Sequence, residues 1–391
     1  MSKRIGTEAS FAIADAAVLA DVDVVAAYPI TPQTHIVERL SELVADGELN
    51  ADFICVESEH SAMSACLGSS AAGARTFTAT AGQGLELMHE VLYVAASMRL
   101  PIVMTVANRA LSGPLNVWGD HSDVMAARDC GWIQYFTENA QEVFDLTLCA
   151  FRIAEDPKVL FPTMVHLDGF NVSHVVEPLE ELEAGELGDF IPPINLPNVL
   201  DPDRPITMGA FAPPVLYTEC RKAQEVDFQA TKETIVKVWK EFGERFGRMY
   251  QPVECYRTED ADTVLVTMGS FSETATLAID AMRARGEKVG LVRIRLWRPF
   301  PLEEIRAALG NASRVVVFDR AYSYGGQCGP VCSEIRSALY GRERQPGVAS
   351  MIGGLGGRDI TPEQFEQIIT RGREIIDGNL EIEYESIGVR E

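Results

Sequence analysis

Short apolar runs rich in β-branched residues alternate with helix-patterned stretches from Ser10 to Leu167, and this restricts the fold to a parallel sheet covered by helices. Strands are expected at 22–28, 53–56, 75–80, 102–107, 131–135 and 163–167. Helices are expected at 10–20, 32–44, 61–72, 85–98 and 140–155. In the second of these, Ile36, Val37, Leu40 and Leu43 recur at helical spacing. The alternation stops between 177 and 230, where Pro192, Pro193, Pro197, Pro202, Pro205, Pro213 and Pro214 accompany the acidic run EPLEELEAGELGD. That stretch is expected to be an extended Pro-rich arm or an interface segment, followed by a helix at 228–246. A second α/β unit begins near Ala261, with strands at 263–268, 288–296 and 314–318 and helices at 272–285, 302–308 and 331–340. It closes with GGLGG (353–357) and a helix capped by Thr361 with Pro362 in its first turn.

A chain of 391 residues is too long for one ordinary core and implies at least two domains. Its net charge of −23, with no Lys/Arg-rich run, argues against nucleic acid or an acidic membrane surface as a partner. No uninterrupted apolar stretch reaches the roughly 18 residues of a membrane helix. The N-terminal MSKRIGTEAS lacks the apolar core of a signal peptide. The eight cysteines are scattered without a C-x-x-C pair, which suits reduced thiols and a cytoplasmic location. Cys328 and Cys332 stand four apart around Gly329 and Pro330, and structural roles are expected for both.

Four loops follow the expected carboxyl ends of first-unit strands, where open α/β sheets build ligand sites. In AYPITPQT, Thr31 can cap a helix with Pro32 behind it, leaving outward N–H groups suited to an anion; a plain N-cap is the simpler alternative. In ESEHSAMSA, Glu57 and Glu59 lie between a strand and a helix. A carboxylate there is costly to desolvate unless it meets a ligand, another chain or a cation, or simply faces the helix dipole. In TATAGQGLELMHE, Gly82, Gln83 and Gly84 let backbone approach a ligand closely, but match neither a P-loop nor a dinucleotide fingerprint. In NRALSGPLNVWGDHSD, Arg109 offers a fork for a carboxylate, or an ion pair to Asp120 or Asp123. The Asp120, His121 and Asp123 cluster could serve a metal or acid/base chemistry, a weak signal on one loop.

These motifs, with DGF at 168–170, Ser173-His174, LWRPFPLEEI (296–305) and GLGGRDIT (354–361), together resemble the α subunit of the 2-oxoacid:ferredoxin oxidoreductases, most of all the pyruvate branch. The likeness spans essentially the whole chain in order and spacing. It implies a thiamine-diphosphate-binding, pyrimidine-type domain at 1–235, with its arm at 177–230, and a transketolase-C-terminal-like domain at 258–391. Glu59 matches the glutamate that hydrogen-bonds the cofactor's aminopyrimidine and favours the tautomer able to accept a proton from the thiazolium carbon. Gly82 and Gln83 fall on a cofactor-contacting turn. Arg109 and Thr31 match positions that hold the substrate carboxylate and oxo group.

The family's GDG…N diphosphate and Mg²⁺ motif and its cysteine clusters are not found in this sequence. The resemblance therefore implies a shared active site. A β subunit would carry the diphosphate, Mg²⁺ and an iron–sulfur cluster, and γ and ferredoxin-like δ subunits would complete the assembly. The implied reaction converts a 2-oxo acid, pyruvate first, and coenzyme A to acyl-CoA and carbon dioxide, with electrons leaving to ferredoxin. Gly113 and Gly119 leave room for a larger group, so an aryl acid such as phenylglyoxylate, with ferredoxin or NAD as acceptor, stands as the alternative. A non-catalytic scaffold or transketolase-like subunit is the alternative of another class.

Overall fold

The computed structural model describes residues 3–341, 344–378 and 384–390. Strand β1 (Lys3–Glu8) leads into α1 (Ala9–Leu19), and strands and helices then alternate: β2 (Val24–Ala27), α2 (Thr34–Ala45), β3 (Asp52–Cys55), α3 (Glu59–Ala71), β4 (Thr76–Thr80), α4 (Gln83–Ser97) and β5 (Val103–Asn108). They continue through α5 (Ser122–Ala127), β6 (Ile133–Phe136), α6 (Ala140–Ala154) and β7 (Thr163–Asp168). The strands pair in the order β6-β7-β5-β4-β2-β3, each parallel to its neighbour. Strands β4, β5 and β7 are buried at every residue, because helices cover both sheet faces. Strand β3 differs from expectation: it is the sheet edge, and Asp52, Ile54 and Cys55 are exposed. The chain steps from β2 outward to β3, then crosses back to β4. That reversal opens a crevice at the carboxyl ends of β2 and β4.

The 177–230 segment is only partly an arm. Strand β8 (Val176–Glu181) pairs antiparallel with β1, and a short helix α7 (Ala184–Leu187) follows. Helix α8 (Pro214–Phe246) starts well before residue 228. Its buried stripe, Phe228, Thr231, Ile235, Val238, Trp239 and Phe242, begins only near the middle of the helix and runs through its C-terminal half. The apolar residues of the first half, Val215, Leu216, Tyr217 and Val226, are exposed, so no amphipathic signal marked that half as helix.

The second unit contains β9 (Val253–Tyr256), β10 (Thr263–Met268), α9 (Phe271–Ala284), β11 (Val289–Ile294), β12 (Leu296–Arg298) and α10 (Leu302–Leu309). It goes on through β13 (Arg314–Asp319), α11 (Pro330–Leu339), β14 (Gly347–Ile352), α12 (Pro362–Ile376) and β15 (Tyr384–Ser386). Its sheet order is β15-β14-β13-β10-β11-β9, parallel except for β9. Thr361 caps α12 as expected, within a capping box closed by Gln364. Cys328 precedes α11 and Cys332 lies buried in its first turn, neither of them in a disulfide.

The strand expected at 288–296 divides between the two sheets. After β11 the chain turns at Arg295, and β12 adds to the first sheet, antiparallel to β6. Arg295, 3% exposed, fixes the turn by pairing with Glu142 of α6 at 2.6 Å and Glu254 of β9 at 2.7 Å. Arg293 likewise joins Glu138 at 2.9 Å and Glu254 at 2.6 Å. Buried charges persist only when paired and hydrogen-bonded, and these pairs weld the units in one register.

Candidate active site

The loops leaving β2, β3, β4 and β5 converge at the crevice. Ser58 caps α3, its hydroxyl accepting from Ser61 N–H at 3.2 Å, and this places Glu59 in the first helical turn. Glu59 is 6% exposed, yet among the described residues no hydrogen bond or ion pair reaches its carboxylate. It lies against the α4 backbone at Gly84. A Cβ at Gly84 would stand 2.8 Å from Glu59 Oε1 and 2.5 Å from Thr80 Oγ1, so only glycine lets the carboxylate occupy this position. Thr80 Oγ1 and Gln83 Oε1, on the same turn, are buried without partners. Several orphaned polar groups on one turn suit a polar ligand. Glu57, by contrast, is a solvent-facing carboxylate bonded to Ser61 Oγ at 2.6 Å, which holds its pKa below the ordinary glutamate value.

Arg109 emerges from β5 with its stem packed on Gly82, whose φ of +48° is a backbone state that side chains rarely adopt. A Cβ on Gly82 would lie 3.0 Å from Arg109 Cδ. Only 7% of Arg109 is exposed. Its Nε donates to the Asn116 carbonyl at 2.9 Å and its Nη1 to the Thr31 carbonyl at 3.0 Å. The ion pair considered for Asp120 or Asp123 does not form: among the described residues no carboxylate pairs with this guanidinium. Burial lowers its pKa, and the charges of Asp123 and Glu59 oppose that shift. It is a buried cation with free donor capacity, a fork prepared for an anion.

Asp123 instead organises the backbone. Its Oδ2 accepts from Gly82 N–H at 3.1 Å and Arg109 N–H at 2.9 Å, and its Oδ1 accepts from Asn108 Nδ2 at 3.0 Å and Val124 N–H at 2.7 Å. Burial pushes its pKa up to about 7 against the pull of these donors. The Gly82 N–H is therefore occupied, and the contribution of Gly82 is space for Arg109. Thr31 also departs from expectation. The Thr31–Pro32 peptide is cis, α2 starts at Thr34 after Gln33, and the exposed Thr31 hydroxyl caps nothing.

The Asp120, His121 and Asp123 side chains serve three separate networks. Asp120 accepts from Ser122 Oγ at 2.6 Å and Gly356 N–H at 3.1 Å. His121 packs on Phe136, and burial followed by the Arg320 charge drives its pKa down to about 3. No three His, Cys, Asp or Glu side chains among the described residues are arranged to hold a metal ion. Gly119 does not provide room either: its Cβ would sit 3.0 Å from the Gly169 carbonyl, whereas Gly113 has open space around it.

Sequence reasoning missed the buried junction behind the site. Asp168, at the end of β7, receives Arg320, at the end of β13, together with Ser270 Oγ. Arg320 also donates to the Gly119 carbonyl at 3.0 Å and lies over the Phe271 ring. Asp168 was visible only inside the DGF motif, and Arg320 stands just beyond an ordinary apolar strand, so neither announced a pairing 152 residues apart. In the sequence Gly84 offers backbone freedom only; its role as the seat of Glu59 requires three dimensions.

Comparisons with known proteins give the family and the fold. Residues 15–240 match the family model described as pyruvate flavodoxin/ferredoxin oxidoreductase, thiamine diphosphate-binding, and residues 261–365 match pyruvate:ferredoxin oxidoreductase core domain II. Pyruvate synthase subunit PorA of Methanothermobacter thermautotrophicus is 49% identical over 365 residues, covering 93% of this chain and 94% of that protein. Ketoisovalerate oxidoreductase subunit VorA of Pyrococcus horikoshii is 44% identical over 379 residues, 96% and 95% of the two chains. The solved 2-oxoglutarate:ferredoxin oxidoreductase from Magnetococcus marinus shares the fold, with a TM-score of 0.71 at 20% identity over 96% of this chain and 66% of that one. No helix among the described residues is long and apolar enough to cross a membrane. A parallel-sheet site domain, a second α/β unit docked on its carboxyl edge and relatives aligned nearly end to end place the chain in one family: it belongs to the pyruvate flavodoxin/ferredoxin oxidoreductases.

Proposed function

We propose that this chain is the α subunit of a 2-oxoacid oxidoreductase and supplies half of a shared thiamine diphosphate site. The observation that carries this reading is Glu59, a buried carboxylate without a hydrogen-bond or ion-pair partner among the described residues, seated on Gly84 beside the orphaned Thr80 hydroxyl and Gln83 amide oxygen. Those groups fit an aminopyrimidine, which offers both donors and acceptors. Thiamine diphosphate, when bound, supplies a nucleophilic ring carbon and an electron sink for decarboxylating a 2-oxo acid. Glu59 holds the proton relay at the ring nitrogen, acting as the carboxylate that exchanges a proton with it. Gln83 orients the ring through its side-chain oxygen, and Gly82 keeps the space that Arg109 fills.

Arg109 pairs with the substrate carboxylate through donors left over from Asn116 and Thr31, and the Thr31 hydroxyl donates to the oxo group. The rest of the reaction belongs to partner subunits: a β subunit with the diphosphate and Mg²⁺ site and an iron–sulfur cluster, and γ and ferredoxin-like δ subunits. A 2-oxo acid and coenzyme A give acyl-CoA and carbon dioxide, and the two electrons released would leave one at a time to ferredoxin, for which clusters on the partner subunits would supply the route. Pyruvate is the first substrate, supported by the PorA relatives, and a branched 2-oxo acid is the second, supported by the VorA relative. The close packing of Gly119 weakens the case for an aryl acid.

The test compares the purified chain with the reconstituted complex on a panel of 2-oxo acids, with ferredoxin and NAD as acceptors. The chain alone should be inactive and bind thiamine diphosphate weakly, and the complex should turn over pyruvate best with ferredoxin. Unaided turnover by the isolated chain would refute the shared site.

A further inference from the structure

The GGLGG run, Gly353 to Gly357, belongs to the second unit, and the proposed chemistry leaves it unused. It follows β14 and reaches across to the Arg109 loop of the first unit. Gly357 N–H donates to the Gly119 carbonyl at 2.8 Å, Gly356 N–H donates to Asp120 Oδ2 at 3.1 Å, and Asn116 Nδ2 donates to the Gly356 carbonyl at 3.1 Å. Asn116 in turn holds the arginine, since its carbonyl accepts from Arg109 Nε at 2.9 Å. Its Oδ1 accepts from Trp118 N–H at 2.7 Å, which fixes the loop conformation around that carbonyl.

The contact needs glycine twice over. Gly356 and Gly357 have φ of +56° and +78°, in the left-handed region. A Cβ on Gly356 would lie 2.3 Å from Asn116 Nδ2, and one on Gly357 would lie 2.3 Å from Trp118 Cβ. The backbone of one unit therefore rests directly on the loop that carries the cation of the other.

We propose that Asn116 and Gly356 are positioning residues for Arg109, so that the second unit sets the direction in which the guanidinium meets the substrate carboxylate. The inference rests on Arg109 being that carboxylate's partner. With Nε turned to Asn116 and one Nη1 proton to Thr31, the remaining guanidinium donors are directed elsewhere as a set. Loosening the Asn116 carbonyl releases one of the two restraints, and a misplaced fork loses the geometric advantage of a charge-assisted contact.

The test uses the assembled complex carrying Asn116→Ala or Gly356→Ala, each alone and combined with Arg109→Lys, with KM for pyruvate and kcat measured separately. Each single variant should raise KM about 3- to 10-fold, as for loss of one restraining hydrogen bond, with the smaller share of the loss in kcat. Added to Arg109→Lys, neither should raise KM further, because each acts through the arginine. An unchanged KM in Asn116→Ala, or an equal fold-rise in the Arg109→Lys background, would overturn the proposal. If Arg109→Lys alone leaves KM unchanged, the assignment of Arg109 itself fails, and the inference falls with it. Should Gly356→Ala not assemble, Asn116→Ala decides, because a half-buried loop asparagine outside the apolar clusters carries no core packing.

Discussion

Gly84→Ala is the smallest change that addresses the Glu59 seat without touching Glu59. The new methyl would start 2.8 Å from Glu59 Oε1 and Cγ and 2.5 Å from Thr80 Oγ1. Ordinary contact is about 3.5 Å, so the carboxylate must retreat by roughly 0.7 Å and the hydroxyl by about 1 Å. Two effects on stability oppose each other. Overpacking costs about 1–3 kcal/mol, while alanine in a helix gains up to about 1 kcal/mol over glycine. The fold should survive with a net loss of roughly 0–3 kcal/mol. Activity should suffer far more, since displacing a catalytic group by about 1 Å costs on the order of 100-fold. The assay is pyruvate-dependent ferredoxin reduction by the assembled complex at saturating thiamine diphosphate, with denaturation midpoints measured on the same preparations. Turnover within about threefold of wild type would show that Glu59 does not need this seat, and the reasoning would be refuted.

Arg109→Met should raise KM for the 2-oxo acid about 10- to 100-fold, the loss of a charge-assisted contact, and steady-state kinetics on the complex will show whether the arginine meets substrate. Arg320→Met leaves Asp168 as an uncompensated buried charge and should destabilise the chain by about 3–5 kcal/mol, read by urea unfolding; a loss under about 1 kcal/mol would contradict the pairing. His166 is buried and held neutral, with a folded pKa near 3 against 6.5 for the ordinary residue. A depressed folded pKa means that the unfolded chain binds the proton first, so the stability it contributes is present above pH 6.5 and lost as pH falls toward 3. Relative to His166→Gln, the wild-type chain should therefore lose stability on acidification through that window, and parallel pH profiles for the two would refute the assignment.

What the sequence could disclose follows from what periodicity and motif record. Buried central strands and amphipathic helices leave local patterns, and so β4, β5, β7 and α12 fall where the residues alone place them. Edge and linking elements leave little. Strands β1 and β8 pair across the length of the first unit, α8 begins with an exposed half, and β12 leaves its own sheet at Arg295. In the site, Glu59 and Arg109 were legible because charges at strand ends demand partners. The tasks of Thr31 and Asp123 were not, because each depends on backbone groups: the Thr31 carbonyl that holds Arg109, and the amides of Gly82 and Arg109 that Asp123 receives. The Asp168–Arg320 junction joins two units and has no local signature at all.

The central claim is that Glu59 works on a proton and does not serve merely to hold the fold. Glu59→Gln keeps the shape and removes the charge, and it should be measured in the assembled complex for decarboxylation of labelled pyruvate, beside complex yield and denaturation midpoint. The predicted result is intact assembly, unchanged or raised stability because a buried charge with no partner among the described residues is gone, and decarboxylation reduced about 100- to 10,000-fold. Decarboxylation at the wild-type rate in Glu59→Gln would contradict the account.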